Sequence, residues 1–456
     1  MARTAKKETV LTPEEKLARA LVPEAAQPYP VPENWCWTTV NFVAEVVTGG
    51  TPSKKNPEYY GNSFPFFKPS DLDAGRNVFD ASEYLSEEGR QVSRIIPAES
   101  SAVCCIGSIG KCGFLMREGT TNQQINSAIP KINPLYLYYY FLTESFVNEL
   151  WSKASATTIS IVNKTKMEQC FFPLAPLPEQ QRIVDRIESL FAKLDEAKEK
   201  AQAVVDGFED RKAAILHKAF TGEITEKWRE KNNVPLSTWK TVIMQDVCEK
   251  ITCGKTPKEF IQPNGEIPYL KVYNIVENEV AFESNPQFIP AKIHYGTLAS
   301  SILKPNDVIM NIVGPPLRKI AIVPNTYEEW NMNQAIVRFR PKAAISSRFL
   351  YYSLLNPETL DDVINATRGV VGQANISVSQ SRNLTISLPC KEEQMEIVKI
   401  LDKITKQESA AKEAAEQVID QIDTMKKAIL ARAFRGELGT NDPADESAEE
   451  LLKKVV

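Results

Sequence analysis

Two glycine-bearing runs carry residue types that could hold a phosphate, Gly107-Ser108-Ile109-Gly110-Lys111 and Gly254-Lys255-Thr256. In a phosphate loop an earlier glycine folds the chain back so that backbone N–H groups converge, and a lysine and a hydroxyl complete the cradle. Cys105 and Glu249 stand at that earlier place here, so both runs read as turns at strand ends. Asn56-Pro57-Glu58-Tyr59 approaches the Asn-Pro-Pro-Tyr loop that holds a flipped adenine, but Glu58 replaces the second proline and no glycine-rich cofactor loop accompanies it. Glu196-Ala197-Lys198 has the end of a nuclease carboxylate motif without a preceding acidic strand, and reads as a solvated helix face. Two histidines, His217 and His294, are too few for most imidazole acid–base or metal schemes. The eight cysteines include no Cys-x-x-Cys pair and read as reduced, buried small hydrophobes rather than a zinc site.

What is left for chemistry is binding by local polar clusters: Lys54-Lys55, Lys164 with Lys166, Arg318-Lys319, and Arg338 with Arg340. The net charge of −4 gives no global basic field, and the acidic excess gathers between Glu437 and Glu450. At roughly 100 to 200 residues per domain the length suggests two to four domains. No apolar run reaches the roughly 18 residues that span a bilayer, and Met1 to Ala20 has no apolar core of a secretion signal, which points to the cytoplasm.

These clusters are set in a sequence that contains itself twice. Glu179-Gln180 and Ile183-Val184 recur as Glu393-Gln394 and Ile397-Val398, an offset of 214. The same offset carries Ala214-Ile215-Leu216 onto Ala428-Ile429-Leu430 and Gly222-Glu223 onto Gly436-Glu437, without insertion or deletion. Upstream the likeness loosens. Thr51-Pro52 matches Thr256-Pro257, Pro65-Phe66-Phe67-Lys68 matches Pro268-Tyr269-Leu270-Lys271, Asn122-Gln123 matches Asn333-Gln334, and Ile159-Ser160 matches Ile376-Ser377. The offsets change along the way, as loops of different length require.

The repeated blocks predict helices, because apolar residues alternate at spacings of four and three. The first seam is Ile183, Ile187, Leu190, Leu194, Ala197, Ala201, Val204 and Phe208. The second is Ile397, Leu401, Ile404, Ala411, Ala415, Val418, Ile422, Met425 and Ile429, with Glu408 interrupting it. Some 40 residues at ~1.5 Å each make a rod of ~60 Å, poorly stable alone, so the two rods are expected to pair with each other or with a partner. The segments between read as mixed α and β. Val103 to Ile109, Val308 to Val313 and Ala335 to Phe339 look like strands, and Leu135 to Trp151 looks like a buried helix echoed by Phe349 to Leu355. The fold class is α+β. The expected order is an N-terminal extension (1–31), a globule (32–178), a helix (179–221), a linker (222–235), a second globule (236–392), a second helix (393–436) and an acidic tail (437–456).

Pro-Leu-Pro-Glu-Gln-Gln-Arg-Ile-Val (Pro176 to Val184), Ala-Ile-Leu-Ala-Arg-Ala-Phe-Arg-Gly-Glu-Leu (Ala428 to Leu438), Gly-Gly-Thr-Pro-Ser (Gly49 to Ser53) and Thr-Glu-Lys-Trp-Arg (Thr225 to Arg229) lie in this arrangement of two divergent globules and two repeated helices. Together they resemble the specificity subunit of type I restriction-modification enzymes over about Pro32 to Leu438. The departures are the extra Met1 to Tyr29 and the lack of a proline immediately before Glu393-Gln394. The resemblance implies a noncatalytic subunit with two target recognition domains, each reading half of a bipartite asymmetric site on double-stranded DNA. It implies that the helices run antiparallel as a pseudo-twofold coiled coil, set the spacing, and dock two methyltransferase subunits, with two restriction/translocase subunits joining that complex. S-adenosylmethionine, ATP and Mg would then serve the partners, with no cofactor on this chain. The competing readings are a coiled-coil adapter that does not read DNA and a self-contained nuclease or methyltransferase.

Within that reading, Asn and Gln can pair bidentately with adenine, Arg or Lys with guanine, and Lys with phosphates. The candidate DNA-binding residues are Lys54, Lys55, Lys111, Gln123, Gln124, Lys164 and Lys166 in the first globule, and Lys255, Lys258, Arg318, Lys319, Arg368, Gln373 and Asn375 in the second. Gly369 to Gln373 looks like a loop able to approach a DNA backbone closely. The matched pairs Asn122/Asn333 and Gln123/Gln334 are equally suited to structural links, because domains reading different bases need no common reader.

Overall fold

The structure, a computed structural model, describes residues 12–156, 159–258, 262–367 and 375–456. The chain divides into two compact units, one of Met1–Ala201 with Gln417–Val456 and one of Gln202–Glu416.

The first unit is built on an antiparallel sheet in the order Ala44–Thr48, Ile125–Pro130, Ser101–Cys104, Cys112–Phe114. Alternation along the strands divides their side chains between two cores. Val46, Val103, Ala128 and Phe114 face the main one, while Ala102, Cys104 and Ile125 face a smaller one with Phe67, Leu72 and Leu115. The strand Cys36–Thr39 pairs with Phe171–Leu174 and so brings the two ends of the globule together. The aromatic run expected as one helix forms two, Pro134–Phe141 capped by Asn133 and Glu144–Ser152 capped by Thr143. Its tyrosines belong to the core: the hydroxyls of Tyr136 and Tyr140 donate to the carbonyls of Pro173 and Phe171. Two helices from the first and last described segments join this unit too. The helix Pro13–Ala20 packs on the helix Ala448–Val455, and Ala20, Ala448 and Leu452 enter the main core.

The second unit repeats the plan, with a sheet in the order Cys248–Cys253, Ile336–Pro341, Val308–Asn311, Ile320–Ile322 and a closing pair Lys240–Ile243 with Thr385–Leu388. The helix Ser347–Leu355 covers the face that carries Val308, Met310, Val337 and Phe339.

Each repeated Glu-Gln pair anchors a long helix to its globule. Glu179 is fully buried and accepts hydrogen bonds from Trp35 Nε1 (2.7 Å), Asn441 Nδ2 (2.8 Å) and Thr440 Oγ1 (3.3 Å). Glu393, equally buried, accepts from Trp239 Nε1 (2.8 Å), Thr225 Oγ1 (2.8 Å) and Arg229 Nη1 (2.9 Å). Gln180 accepts from the amide of Asn133 and donates to the carbonyl of Ala175, while Gln394 accepts from Ser346 and donates to Ala344 and Pro389.

The long helices differ from the expected seams in two ways. The first, read as one block, is two helices, Leu177–Asp206 and Phe208–Phe220, separated at Gly207, whereas Lys391–Ala433 runs unbroken for 43 residues. Second, Val418 is corrected from a seam residue to an exposed one, at 40%, as is Met425 at 49%. The inward row steps by sevens through Glu408, Ala415, Ile422 and Ile429, with Lys412, Ile419 and Lys426 between, so Val418 and Met425 fall on its flank. Lysine stems hold inward positions that an apolar pattern does not reveal: Lys426 lies over Phe191 (5.0 Å) and Lys412 over Phe208 (5.1 Å). Ile183, Ile187, Ile397, Leu401 and Ile422 are buried, and Leu190, Leu194, Val204, Phe208, Ile404 and Ile429 are half-buried. Lys198 pairs with Asp423 (2.8 Å) and Asp195 with Lys426 in the first unit, and Arg211 with Glu408 (2.8 Å) in the second. In the first unit the numbering rises on one helix as it falls on the other, and the Phe208–Lys412 and Arg211–Glu408 contacts do the same in the second.

Candidate nucleic-acid interface

One end of each central sheet is closed by loops that carry most of the polar residues named above. In the first unit the strand Ala44–Thr48 runs out into Gly49-Gly50-Thr51-Pro52, whose Gly49 and Gly50 amides donate to the carbonyls of Ile125 (2.9 Å) and Thr121 (2.8 Å). A Cβ on Gly49 would sit 2.1 Å from the carbonyl oxygen of Asn122, so only glycine lets these loops touch. The Thr51 hydroxyl bonds to Gln123 Oε1, and the Tyr60 hydroxyl donates to the Pro52 carbonyl (2.7 Å). Beside them the Cys105 amide donates to Gln124 O (2.7 Å) and the Val162 amide to Cys105 O (2.9 Å), which aligns the loop before Lys111 and the turn before Lys164 with the first loop.

The second unit makes the same contacts with other residues. Gly254 and Lys255 amides donate to Ile336 O (3.0 Å) and Met332 O (3.2 Å), and a Cβ on Gly254 would sit 2.1 Å from Asn333 O. The Thr256 hydroxyl bonds to Gln334 Oε1, and the Tyr269 hydroxyl donates to Lys255 O (2.8 Å). The Ile312 amide reaches Ala335 O and the Ile376 amide reaches Ile312 O, both at 2.9 Å.

Lys54 and Lys55, and Lys255 and Lys258, are exposed on the glycine loops. Gln123 is exposed but held by Thr51, and Gln124 is half-buried with both its amide and Oε1 bonded to the Asn122 side chain (3.0 Å each). Lys164 pairs with Glu168 (3.5 Å) on the short helix Lys164–Glu168, with Lys166 half-buried beside it. Lys111 is drawn to Asp73 (2.6 Å), and Arg318, in a left-handed conformation, is paired with Asp361. The Lys319 amide donates to Asn311 Oδ1 (2.8 Å), and Asn375 is exposed where its backbone bridges Val313. Arg368, Gln373 and the loop Gly369 to Gln373 lie outside the described residues.

The cluster of Arg338 with Arg340 is corrected from a surface pair to one buried and one half-buried side chain. Strand alternation turns both onto the face covered by Ser300 to Asp307. Arg338 is fully buried with its guanidinium on Ile302 O, Thr252 Oγ1 and Ser300 O, and burial pushes its pKa down to about 10. Arg340 grips both oxygens of Asp307 (2.8 and 2.7 Å). Two features are not read from the sequence as parts of this end, although Ile159-Ser160 matches Ile376-Ser377. Arg94 donates to the carbonyl of Thr48, immediately before the first glycine loop. The hairpin Ser155–Ala156 with Ser160–Ile161 joins the same end through a bridge from Ile161 to Ile106, with Ile159 and Ile161 exposed. Its alternation of Ser and Thr with small and apolar residues was the available signal.

The loop amides and the Thr51 and Thr256 hydroxyls are bonded within the fold, and what these loops leave exposed is the cations Lys54, Lys55, Lys255 and Lys258. Among the described residues no group of three His, Cys, Asp or Glu side chains is placed to hold a metal, and no helix is long and apolar enough to cross a membrane.

A family model described as the type I restriction modification DNA specificity domain matches residues 32–205 and 236–421. The chain is 24% identical over 341 residues to the specificity subunit of the type I restriction enzyme EcoBI of Escherichia coli, covering 70% of each. It is 20% identical over 457 residues to the EcoKI specificity subunit of Escherichia coli strain K12, covering 93% of this chain and 95% of that one. Two solved structures share the fold. A chain solved in work on complex assembly and conformational transition of the type I R-M system gives a TM-score of 0.71 at 20% identity, covering 90% of this chain and 100% of that one. The HsdS subunit from Thermoanaerobacter tengcongensis gives 0.61 at 20% identity, covering 90% and 99%.

Proposed function

Because the chain belongs to the type I restriction modification DNA specificity family, we propose that it is the noncatalytic subunit that gives a restriction-modification complex its DNA sequence, one half-site to each globule. The observation that carries this reading is the loop end built twice. The same glycine, threonine and glutamine contacts recur at Gly49, Thr51 and Gln123 and at Gly254, Thr256 and Gln334, while the side chains around them differ. A common frame with different residues on it is what two different half-sites require. The readers are then drawn from Lys54, Lys55, Gln124, Lys164 and Lys166 in the first globule and from Lys255, Lys258, Lys319 and Asn375 in the second, with Gln123 and Gln334 framing the loops.

The long helices pair antiparallel as a coiled coil and set the gap between half-sites. The descending numbering of their contacts in each unit supports that pairing. They dock two methyltransferase subunits, and two restriction/translocase subunits join in the cytoplasm. S-adenosylmethionine, ATP and Mg act on those partners.

The test is adenine-methylation sequencing in a methylation-deficient host that expresses this chain with a type I methyltransferase partner. A split asymmetric motif that appears only with this chain is expected. An active methyltransferase that leaves no motif would favour the adapter reading.

A further inference from the structure

The first long helix is distorted at one residue, Gly207, whose ψ of 1° departs from helical geometry although its amide still donates to Ala203 O (3.1 Å) and its carbonyl still accepts from Arg211 N (3.0 Å). Arg211, one turn further on, donates from Nη2 to the carbonyl of Val204 before the distortion and from Nε to Glu408 Oε2 on the opposite helix, both at 2.8 Å. One guanidinium therefore spans the distortion and fastens this helix to the opposite one. A Cβ on Gly207 would lie 2.7 Å from Arg211 Nη1, so the bare glycine gives that group its room.

The internal repeat supplies a control. The offset of 214 sets Gln421 where Gly207 stands, Met425 where Arg211 stands and, in the reverse direction, Leu194 where Glu408 stands. There the helix Lys391–Ala433 continues without interruption. Glycine, cation and carboxylate occur together in the second unit and are replaced together in the first. Pairing two long helices does not in itself call for them, because the other half does without.

We propose that Gly207 is a hinge in the first long helix, that Arg211 and Glu408 are its latch, and that the three decide how strictly the gap between the half-sites is held. This rests on reading the chain as a subunit that recognises two half-sites. Glycine is the weakest helix former after proline, so bending concentrates there. A bend of about 5° carries the far end of the 30-residue helix by about 4 Å, close to one base-pair step of roughly 3.4 Å. Both latch bonds involve a charged donor, the stronger class of hydrogen bond. A hinge without its latch lets the gap vary, and a helix without the hinge needs no latch.

The experiment uses the full chain with its methyltransferase partner and a plasmid library in which the half-sites of the unmutated chain stand at the native gap and at one base pair more or less. Arg211→Met with Glu408→Leu, the residues of the other half, is expected to raise methylation of the off-length sites about tenfold relative to the native gap, the worth of a lost charged hydrogen bond. The half-site bases should stay the same. Adding Gly207→Gln to that pair is expected to restore the strict gap. Methylation at the native gap reports folding. Glu408→Gln, a milder change, should move the ratio in the same direction by a smaller factor, and it decides the matter if the double variant is inactive. An unchanged ratio in these variants, or altered half-site bases, overturns the hinge while a split motif from the unmutated chain leaves the functional reading intact. No split motif from the unmutated chain overturns both.

Discussion

Glu179 and Glu393 meet the same need with different chemistry. Each sits fully buried in the first turn of a long helix, where the helix N-terminus favours a negative charge, and each takes an indole N–H from the tryptophan that opens its globule. Past that point they part. Glu393 is met by the buried guanidinium of Arg229, from the segment after the first long helix, and Glu179 by the neutral Asn441 and Thr440, from the segment after the second. The repeat has kept the anchor on the helix and let the donor change, provided that a donor is there. It also gives the acidic tail the structural task that the linker has in the other unit.

The contrast predicts unequal costs. Glu393→Ala strands Arg229 in the interior, and leaving a buried charge without its partner costs about 3–5 kcal/mol. Denaturant unfolding of the full chain should show that loss, and Glu393→Met with Arg229→Met should recover most of it. Glu179→Ala removes an acceptor from three neutral donors, for which about 1–3 kcal/mol is expected. Equal losses in the two variants would mean that Arg229 adds nothing beyond a neutral donor, and the contrast would fail.

What was legible in the sequence is what the repeat states twice. The Gly-x-Thr-Pro and Asn-Gln matches mark loops that touch, because no other residue fits at Gly49 and Gly254. Features present in one half only were harder to read. The distortion at Gly207 hides inside an apolar rhythm that continues across it, since spacing reports which face is inward and not how the backbone winds at one residue. Val418 was misplaced because Lys412 and Lys426 hold inward positions with their stems. Arg338 and Arg340 read as surface because a charge suggests solvent, while their strand turns both toward polar acceptors inside the fold. The tail is acidic overall, yet Ala448 and Leu452 recur four apart on its one helix and are fully buried. Four glutamates and aspartates around them conceal that short apolar face in any average.

The smallest expected effect separates holding from reading. Lys54 and Lys55 are adjacent in the first glycine loop, while Lys255 and Lys258 flank Thr-Pro in the second. If these lysines meet phosphates, each carries charge and no sequence information. Removing Lys54 and Lys55 together by alanine should then lower the slope of log affinity against log salt by about 0.9 for each lysine, and Lys258→Ala alone by about 0.9. Binding of the assembled complex should weaken alike on all sequences, with both half-sites unchanged in a methylation map. A shift of base preference confined to the first half-site would instead make Lys54 or Lys55 a reader. The two glycine loops would then differ in role as well as in sequence, with one specifying bases where its counterpart only grips the backbone.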